Sequence, residues 1–194
     1  MPIIAYLGST VKEYENDSME HLCALTIYCP KDINAQMTIH SHYLRRIKET
    51  GEMIAVYRLI CPECGKTIAV LPDFLLPYKQ YSANEIEAVM IDAESMSVYD
   101  IETKASVRTV RRWKKEMRTL ITQWISLLKA LLIEEYKKII SEVWFRGLGL
   151  IEELQLLAEH LPKIEACGNM LGFAGIYLSC RCHIFPFHGK RPVT

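Results

Sequence analysis

The chain has 194 residues, of which half are hydrophobic and 24% are charged, as in a soluble globular protein of one ordinary domain or two small ones. Its 23 basic and 23 acidic side chains cancel, so net charge alone indicates no polyanionic partner. The longest uncharged stretch is too short for a membrane span of about 20 residues. Without a basic, apolar leader at the start, we expect no signal peptide, no membrane partner and a cytoplasmic location.

Residues 1–20 form an N-terminal segment that is acidic from Glu13 to Glu20. Residues 21–78 are rich in β-branched and aromatic side chains with partial period-two alternation, which predicts short strands. Between two of these runs, Lys48 to Glu52 reads KETGE, which predicts a hairpin turn that uses Gly51.

The most specific motif of the β-rich segment is Cys61-Pro-Glu-Cys64-Gly65. Its two-residue spacer lets two thiolates face one ion, and a glycine after the second cysteine lets backbone N–H groups turn toward the sulfurs. Upstream, Cys29-Pro-Lys-Asp32 has the same spacing, but aspartate stands where a second cysteine would complete the pair. Seven cysteines in a chain without a secretory signal favour thiols or metal ligands over a disulfide framework.

We therefore predict one Zn²⁺ site in the module 21–78. The predicted ligands are Cys29, Asp32, Cys61 and Cys64. Two alternatives remain open: Cys23, His40 or His42 supplies the fourth ligand, or the site is empty and hydrophobic packing holds the strands together. A second group near the C-terminus has a spacing that suits no common zinc knuckle, and we expect ordinary tail residues there. Its members are Cys180, Cys182, His183 and His188.

Residues 79–118 predict a helix-turn-helix. Ser82 to Glu85 matches a capping box that begins a helix, a short helix fits Val98 to Lys104, and Ser106 can cap a third helix from Val107. On this third helix, Val110 and Trp113 mark an inward face, and the opposite face is cationic. The candidate DNA-binding residues are Ser106, Arg108, Thr109, Arg111, Arg112, Lys114 and Lys115.

Among these, we expect Arg108, Thr109 and Arg112 to reach base edges, because residues early in a recognition helix face the groove floor. We expect the remaining cations to meet phosphates. A solvated basic surface, or one that binds an acidic protein, is the competing interpretation.

Residues 119–165 carry a wide apolar stripe on two predicted helices, Leu120 to Val143 and Leu150 to Leu161. This helical hairpin is expected to serve either as an oligomer interface or as an intramolecular core. Residues 166–194 form a tail that the pattern leaves unassigned.

Two runs carry a family resemblance: YRLICPECGKTIAVLPDFLLPYKQYS, which begins at Tyr57, and VRTVRRW, which begins at Val107. They resemble the N-terminal region of bacterial transposases and transposase-related proteins of unassigned function. The resemblance covers residues 22–118 and implies a zinc ribbon followed by a helix-turn-helix that binds DNA at element ends or related sites. Asp32 departs from the family pattern, which has cysteine at that position.

The expected fold is therefore α+β: a small β-rich zinc ribbon followed by a helix-turn-helix and a C-terminal α-helical segment. We expect a DNA-binding protein of mobile-element origin that contacts double-stranded DNA and uses its C-terminal helices for a homodimer or a partner protein. No aspartate follows Asp100, and the chain has no Walker A or Gly-x-Ser-x-Gly motif, so we expect no enzyme. The alternative is a protein-interaction module, or a targeting subunit of a split transposase or nuclease, with a purely structural ribbon.

Overall fold

The computed structural model describes residues 2–134, 136–138, 140–161 and 167–182. Within them the chain is a mixed α+β fold, which confirms the predicted class at that level. The elements are β1 (Ile3–Ala5), α1 (Val11–Ala24), β2 (Tyr28–Cys29), β3 (Asp32–Gln36), β4 (Thr38–Arg46), β5 (Met53–Ile60), β6 (Thr67–Pro72), α2 (Ala83–Ser95), α3 (Val107–Glu134), a 3-10 turn (Glu142–Phe145), α4 (Leu150–Ala158) and α5 (Met170–Cys182).

Four strands form one sheet in the order β1-β6-β5-β4, and β2 pairs with β3 in a small sheet of its own. Strands β4, β5 and β6 are an antiparallel meander, and β1 runs parallel to β6 with Ile3 opposite Val70. The predicted hairpin is present between β4 and β5, where the Gly51 N–H donates to the Ile47 carbonyl at 2.8 Å. Residues 1–20, predicted only as an N-terminal segment, thus supply an edge strand and the start of α1.

The cap of α2 is present, but it differs from the predicted reciprocal pair. The Ser82 hydroxyl accepts the Glu85 N–H at 3.1 Å, as the motif predicts. The Glu85 carboxylate, however, accepts from the Thr103 hydroxyl and from the Lys104 N–H, and the Ser82 N–H donates to Glu49 at 2.7 Å. Glu85 therefore holds the connection after α2 against the first turn of that helix.

The short helix predicted over residues 98–104 is wrong, because the structure has only a turn at residues 98–100. The Tyr99 N–H donates to the Ser97 hydroxyl at 3.4 Å, a local bond that competes with helix formation. Ile101 is the buried side chain of this stretch, and one buried side chain cannot form the apolar stripe that stabilises a helix. Residues 96–106 join α2 to α3 by a longer connection than a tight turn, and the helix-turn-helix is not confirmed.

Helix α3 runs unbroken through residue 118, where the sequence predicted a boundary between two segments. The change at that point affects only the outer face, which turns from basic to neutral, while the inner face stays apolar at helical spacing. Its buried side chains are Val110, Trp113, Met117, Ile121, Ile125, Leu128, Leu131 and Leu132. The C-terminal part of this stripe packs inside the chain, where α3 contacts α4 and α5.

The predicted helix from Leu150 is confirmed as α4 and ends at Ala158, while α5 lies in the segment that the sequence left unassigned. The sequence of α5 is apolar along most of its length, and such a helix is stable when it is buried. It packs against β1, and Gly175 permits the approach, since a Cβ there would lie 2.5 Å from the Ile4 Cδ1 atom. Among the described residues, no helix combines the length and hydropathy needed to cross a membrane.

Two carboxyl groups meet the start of α5. Glu87 of α2 accepts the Leu171 N–H at 2.9 Å. Asp73, which follows β6, is fully buried, and no donor among the described residues reaches hydrogen-bonding geometry with either of its oxygens. Burial raises the pKa of Asp73 to about 6, although the nearby Cys167 thiol and backbone N–H groups oppose the rise. Asp73 therefore carries an unfavourably buried charge at neutral pH.

We expect Asp73→Asn to stabilise the protein at pH 7.5 and to reduce the dependence of its stability on pH. The folded-state pKa of Asp73 lies above the unfolded value of 3.8, so its ionisation opposes folding as the pH rises from about 4 to above 6. Two pKa units correspond to about 3 kcal/mol of unfolding free energy. Urea unfolding of both proteins between pH 5 and 7.5 measures this, and the gain from Asp73→Asn should shrink toward pH 5.

The matched control is Asp17→Asn on the exposed side of α1, which makes the same chemical change without burial. It should leave the unfolding free energy unchanged at both ends of the pH range. A gain from Asp73→Asn that is equal at pH 5 and pH 7.5 would contradict an ionised, buried Asp73.

Candidate metal centre and basic face of α3

Three cysteine thiols converge where the small sheet meets the large one. Cys29 ends β2, Cys61 follows β5 directly, and Cys64 lies in the turn that leads to β6. Their sulfur atoms all lie within 4.8 Å of one another, and the Cys29 and Cys64 sulfurs are 3.5 Å apart. Cys29 and Cys61 are buried while Cys64 is exposed, and all three are free thiols. The group is close enough to hold one metal ion.

The turn from Cys61 to Gly65 takes its shape from its own backbone. The Cys61 N–H donates to the Lys66 carbonyl at 2.9 Å, and the Gly65 N–H donates back to the Cys61 carbonyl at 3.0 Å. Gly65 has a φ of +67°, in the left-handed region that glycine adopts without strain. The sequence therefore predicted this turn correctly, because every bond in it is local.

Backbone N–H groups point at the sulfurs, as expected around thiolates that bind a metal. The Lys31 N–H donates to the Cys29 sulfur at 3.4 Å. Burial raises the pKa of the Cys29 thiol, but this N–H, the Asp32 N–H and the neighbouring thiols outweigh burial and bring that pKa below its ordinary value. The Lys66 N–H lowers the pKa of the Cys64 thiol. The other two thiols and burial raise it by more, so the pKa of Cys64 lies above its ordinary value.

Asp32 begins β3 and is the cross-strand partner of Cys29. Its carboxylate accepts the Asn34 N–H at 3.0 Å and lies outside the cluster of three sulfurs. Side chains directly opposed in an antiparallel pair have Cβ atoms about 4.5–5.5 Å apart, so Asp32 stands next to the cluster.

The other candidates for a fourth ligand are all exposed, and none belongs to the cluster: Cys23 lies on α1, and His40 and His42 lie on β4. A four-coordinate ion held here would take three thiols from the described residues, and Asp32 or water would supply its fourth ligand. The second predicted group, Cys180 and Cys182 with two histidines, involves side chains outside the described part of the chain.

Residues 29–113 match a family described as a domain of unknown function (DUF6431). The match begins at Cys29, the first thiol of the cluster, and ends at Trp113 on α3. No curated protein and no solved structure matches the chain. The matched region therefore contains the whole three-thiol cluster and the first turns of α3, but its description assigns no activity to either.

The first turns of α3 carry most of the predicted DNA-binding residues. Ser106 caps the helix, since its hydroxyl accepts the Thr109 N–H at 3.3 Å. Arg108, Arg112 and Lys115 are exposed, and none of them forms an ion pair or side-chain hydrogen bond with any residue that the structure describes. These three cations lie at i, i+4 and i+7, and therefore on one side of the helix.

Two of the predicted phosphate contacts are already engaged inside the chain. The Lys114 ammonium donates to the Ala93 carbonyl at 2.7 Å and so ties α3 to α2. The Arg111 guanidinium lies 5.0 Å from the centroid of the Tyr99 ring and also donates to the Tyr99 hydroxyl. Both side chains thus fix how α3 sits against α2 and the connection between them, which sequence reasoning could not detect because the partners are distant along the chain.

We expect protein purified without chelator to contain about one equivalent of a thiophilic metal ion per chain, because three thiols with N–H donors form a nearly complete site. Elemental analysis measures the metal, and Cys61→Ser should lose it whereas Cys23→Ser, on the exposed side of α1, should keep it. Folded protein without metal, in which Cys29, Cys61 and Cys64 all react with a thiol reagent, would contradict the site.

Asp32 is tested separately by two substitutions. Asp32→Cys should tighten metal retention against a competing chelator, because it adds a fourth thiolate beside Cys29. Asp32→Ala should weaken retention if the carboxylate binds the ion, and should have no effect if water or another side chain completes the site.

Proposed function

We propose that this chain is a DNA-binding protein of mobile-element, transposase-like origin that acts in the cytoplasm. The observation that carries the proposal is a set of exposed cations on one side of α3 that have no ion-pair partner among the described residues, namely Arg108, Arg112 and Lys115. A local cluster of cations in a neutral chain is a stronger indication of a polyanionic partner than net charge. The resemblance of the cysteine and VRTVRRW runs to transposase-related proteins supports the assigned origin.

Zn²⁺ is the metal that we propose for the three-thiol cluster. In a tetrahedral site with Zn–S bonds of about 2.3 Å, two sulfurs lie about 3.8 Å apart. The Cys29 and Cys64 sulfurs, at 3.5 Å, need only a small shift to reach that distance. Thiolate sulfur selects Zn²⁺ over Mg²⁺ or Ca²⁺, which prefer oxygen ligands, and the reducing cytoplasm keeps these thiols available. The ion would have a structural role, as in a zinc ribbon.

The proposed DNA interface is the exposed face of the first turns of α3. An α-helix fits the major groove of B-DNA, and arginine is the side chain that most often reads guanine there. Arg108 and Arg112, with Thr109 between them, are the proposed base contacts, and Lys115 one turn further is a proposed phosphate contact. Helix α2 is joined to α3 by the hydrogen bond from Lys114 to the Ala93 carbonyl and would support α3 in the groove. This arrangement would resemble a helix-turn-helix with a longer connection between its two helices.

A protein-interaction function is the second candidate, and a separate surface favours it. A groove of about 460 Å³ lies beside α3 and is lined by Pro77, Tyr78, Leu120, Trp124 and Leu127 among others. Tyr78 is 87% exposed and Leu127 is 43% exposed. On α3 this groove begins at Glu116, directly after the last of the three cations, so a partner protein or a second copy of the chain would bind beside the proposed DNA contacts.

We expect Arg108→Ala with Arg112→Ala to relax sequence specificity, with a loss of about 1–3 kcal/mol for each bidentate base contact. Lys115→Ala should weaken binding to all duplexes alike and lower the slope of log affinity against log salt by about one unit. The measurements are selection of bound duplexes from a random pool, followed by fluorescence anisotropy across a salt series. Near-ultraviolet circular dichroism verifies that each variant is folded.

Lys12→Ala is the control for the removal of one positive charge, because Lys12 is exposed on α1 at the start of the acidic segment. It should leave affinity, specificity and salt slope unchanged. A folded Arg108→Ala/Arg112→Ala protein that binds selected and random duplex as tightly as the parent would overturn α3 as the reading helix and favour the interaction module.

A further inference from the structure

A basic pocket of about 560 Å³ lies at the β4–β5 hairpin, outside the predicted DNA-binding residues. Among the described residues, its lining is Arg45, Arg46, Lys48 and Gln80, so it combines three cations with one amide. Arg45 and Arg46 end β4, Lys48 begins the hairpin turn, and Gln80 lies in the segment between β6 and α2. Three cations in one concave surface repel each other, which makes the pocket favourable for an anion.

The pocket is held in shape by hydrogen bonds within the chain. The Arg45 guanidinium donates to the Leu76 carbonyl at 2.8 Å and to the Lys79 carbonyl. The Lys48 N–H donates to the Gln80 carbonyl at 2.8 Å, which joins the two walls of the pocket. Because Arg45 is fixed by carbonyl groups, its charge is positioned but not neutralised.

Two carboxylates lie near the pocket. Glu49 accepts the Ser82 N–H at 2.7 Å with one oxygen, while its other oxygen is buried without a hydrogen-bond partner among the described residues. Glu116 pairs with the Lys79 ammonium at 2.6 Å. Within the described part of the chain, Arg46 and Lys48 form no ion pair. The Lys48 ammonium instead lies 5.3 Å from the centroid of the Tyr81 ring, a cation–π contact that leaves its N–H donors available.

An aromatic contact connects the segment that contains Gln80 of the pocket to the helix that carries the exposed cations. Tyr81, which lies next to Gln80 and under Lys48, packs edge-on against Trp113 of α3 with ring centroids 4.9 Å apart. On the other side, the Lys104 ammonium donates to the Glu49 carbonyl at 2.9 Å and joins the hairpin turn to the segment before α3. The hairpin cations and the start of α3 thus belong to one packed unit.

We propose that this pocket binds a backbone phosphate of the DNA whose groove α3 enters. The inference rests on the proposed function and adds to it a second, sequence-independent contact made by the sheet. An arginine fork and a lysine point charge are the two side chains that suit phosphate oxygens, and the Gln80 amide offers a further donor. Such a contact fixes the register of the helix on the duplex without reading bases.

The test compares the salt dependence of duplex binding by full-length, metal-loaded protein and by Arg46→Gln with Lys48→Gln. Arg45 is left intact because it holds the chain together at this point. The double substitution should lower the slope of log affinity against log salt by about one unit for each phosphate that the variant no longer neutralises. It should weaken selected and random duplexes by the same factor. The control is Lys12→Gln with Arg146→Gln, which removes the same two charge types from exposed positions elsewhere and should leave the slope unchanged.

The possible results separate this inference from the proposed function. A slope that Arg46→Gln/Lys48→Gln leaves unchanged, while Lys115→Ala lowers it, overturns the pocket and keeps α3 as the interface. Absence of any duplex binding by the parent protein overturns the proposed function and the pocket contact together.

Free phosphate is the other source of the same ligand chemistry. Addition of inorganic phosphate at constant ionic strength tests this source, with the melting temperature of the parent protein as the readout. A phosphate-dependent rise that disappears in Arg46→Gln/Lys48→Gln, with an unchanged DNA slope, would assign the pocket to a free phosphate ligand and overturn the DNA contact.

Discussion

The edge-on contact between Trp113 and Tyr81, with ring centroids 4.9 Å apart, joins the sheet to the helices. Tyr81 lies on the segment that follows β6, and Trp113 lies on the buried face of α3. This aromatic pair therefore fixes the position of the first turns of α3 against that segment. Trp113 is only 1% exposed, and a large ring buried to this extent contributes strongly to stability. Both proposed DNA contacts depend on it, because it packs α3 against the segment that contributes Gln80 to the hairpin pocket.

The three-thiol cluster lies at the other end of the large sheet, where the small sheet meets it. Strands β2 and β3 form a two-stranded sheet, which is marginally stable by itself. Cys29 belongs to this small sheet, whereas Cys61 and Cys64 belong to the turn between β5 and β6. A metal ion shared by these sulfurs would therefore fasten the small sheet to the large one, and it would offset the repulsion among adjacent thiolates. Asp32 is the cross-strand partner of Cys29. A rotation of its side chain, without a change of fold, would decide whether its carboxylate supplies the fourth ligand.

Zero net charge conceals a marked separation of charge along the chain. The acidic residues of α1 and the exposed cations of α3 cancel in the total, yet the three exposed cations of α3 and those of the hairpin form no ion pair with a carboxylate in the described residues. The Lys79 ammonium, and to a smaller extent Arg112, lower the pKa of the Glu116 carboxyl, so the charge of Arg112 is partly compensated within the chain. The buried carboxyl of Asp73 is a separate electrostatic cost, because its charge lowers the stability of the region where α5 begins.

The sequence by itself determined the features whose interactions are local. The turn from Cys61 to Gly65, the Ser82 and Ser106 caps, the Gly51 hairpin and the inward face of Trp113 all follow from side-chain type and spacing within a few residues. The tertiary structure alone decided what depends on distant partners. Glu85 bonds Thr103 instead of closing its own capping box, residues 98–104 rest on α2 without forming a helix, and the glycine-containing segment of α5 becomes a helix because β1 covers it. The basic pocket also depends on distant partners, because Gln80 lies after β6 and meets the cations of the β4–β5 hairpin only in the folded chain. A sequence pattern gives no signal for a surface that is assembled from such distant segments.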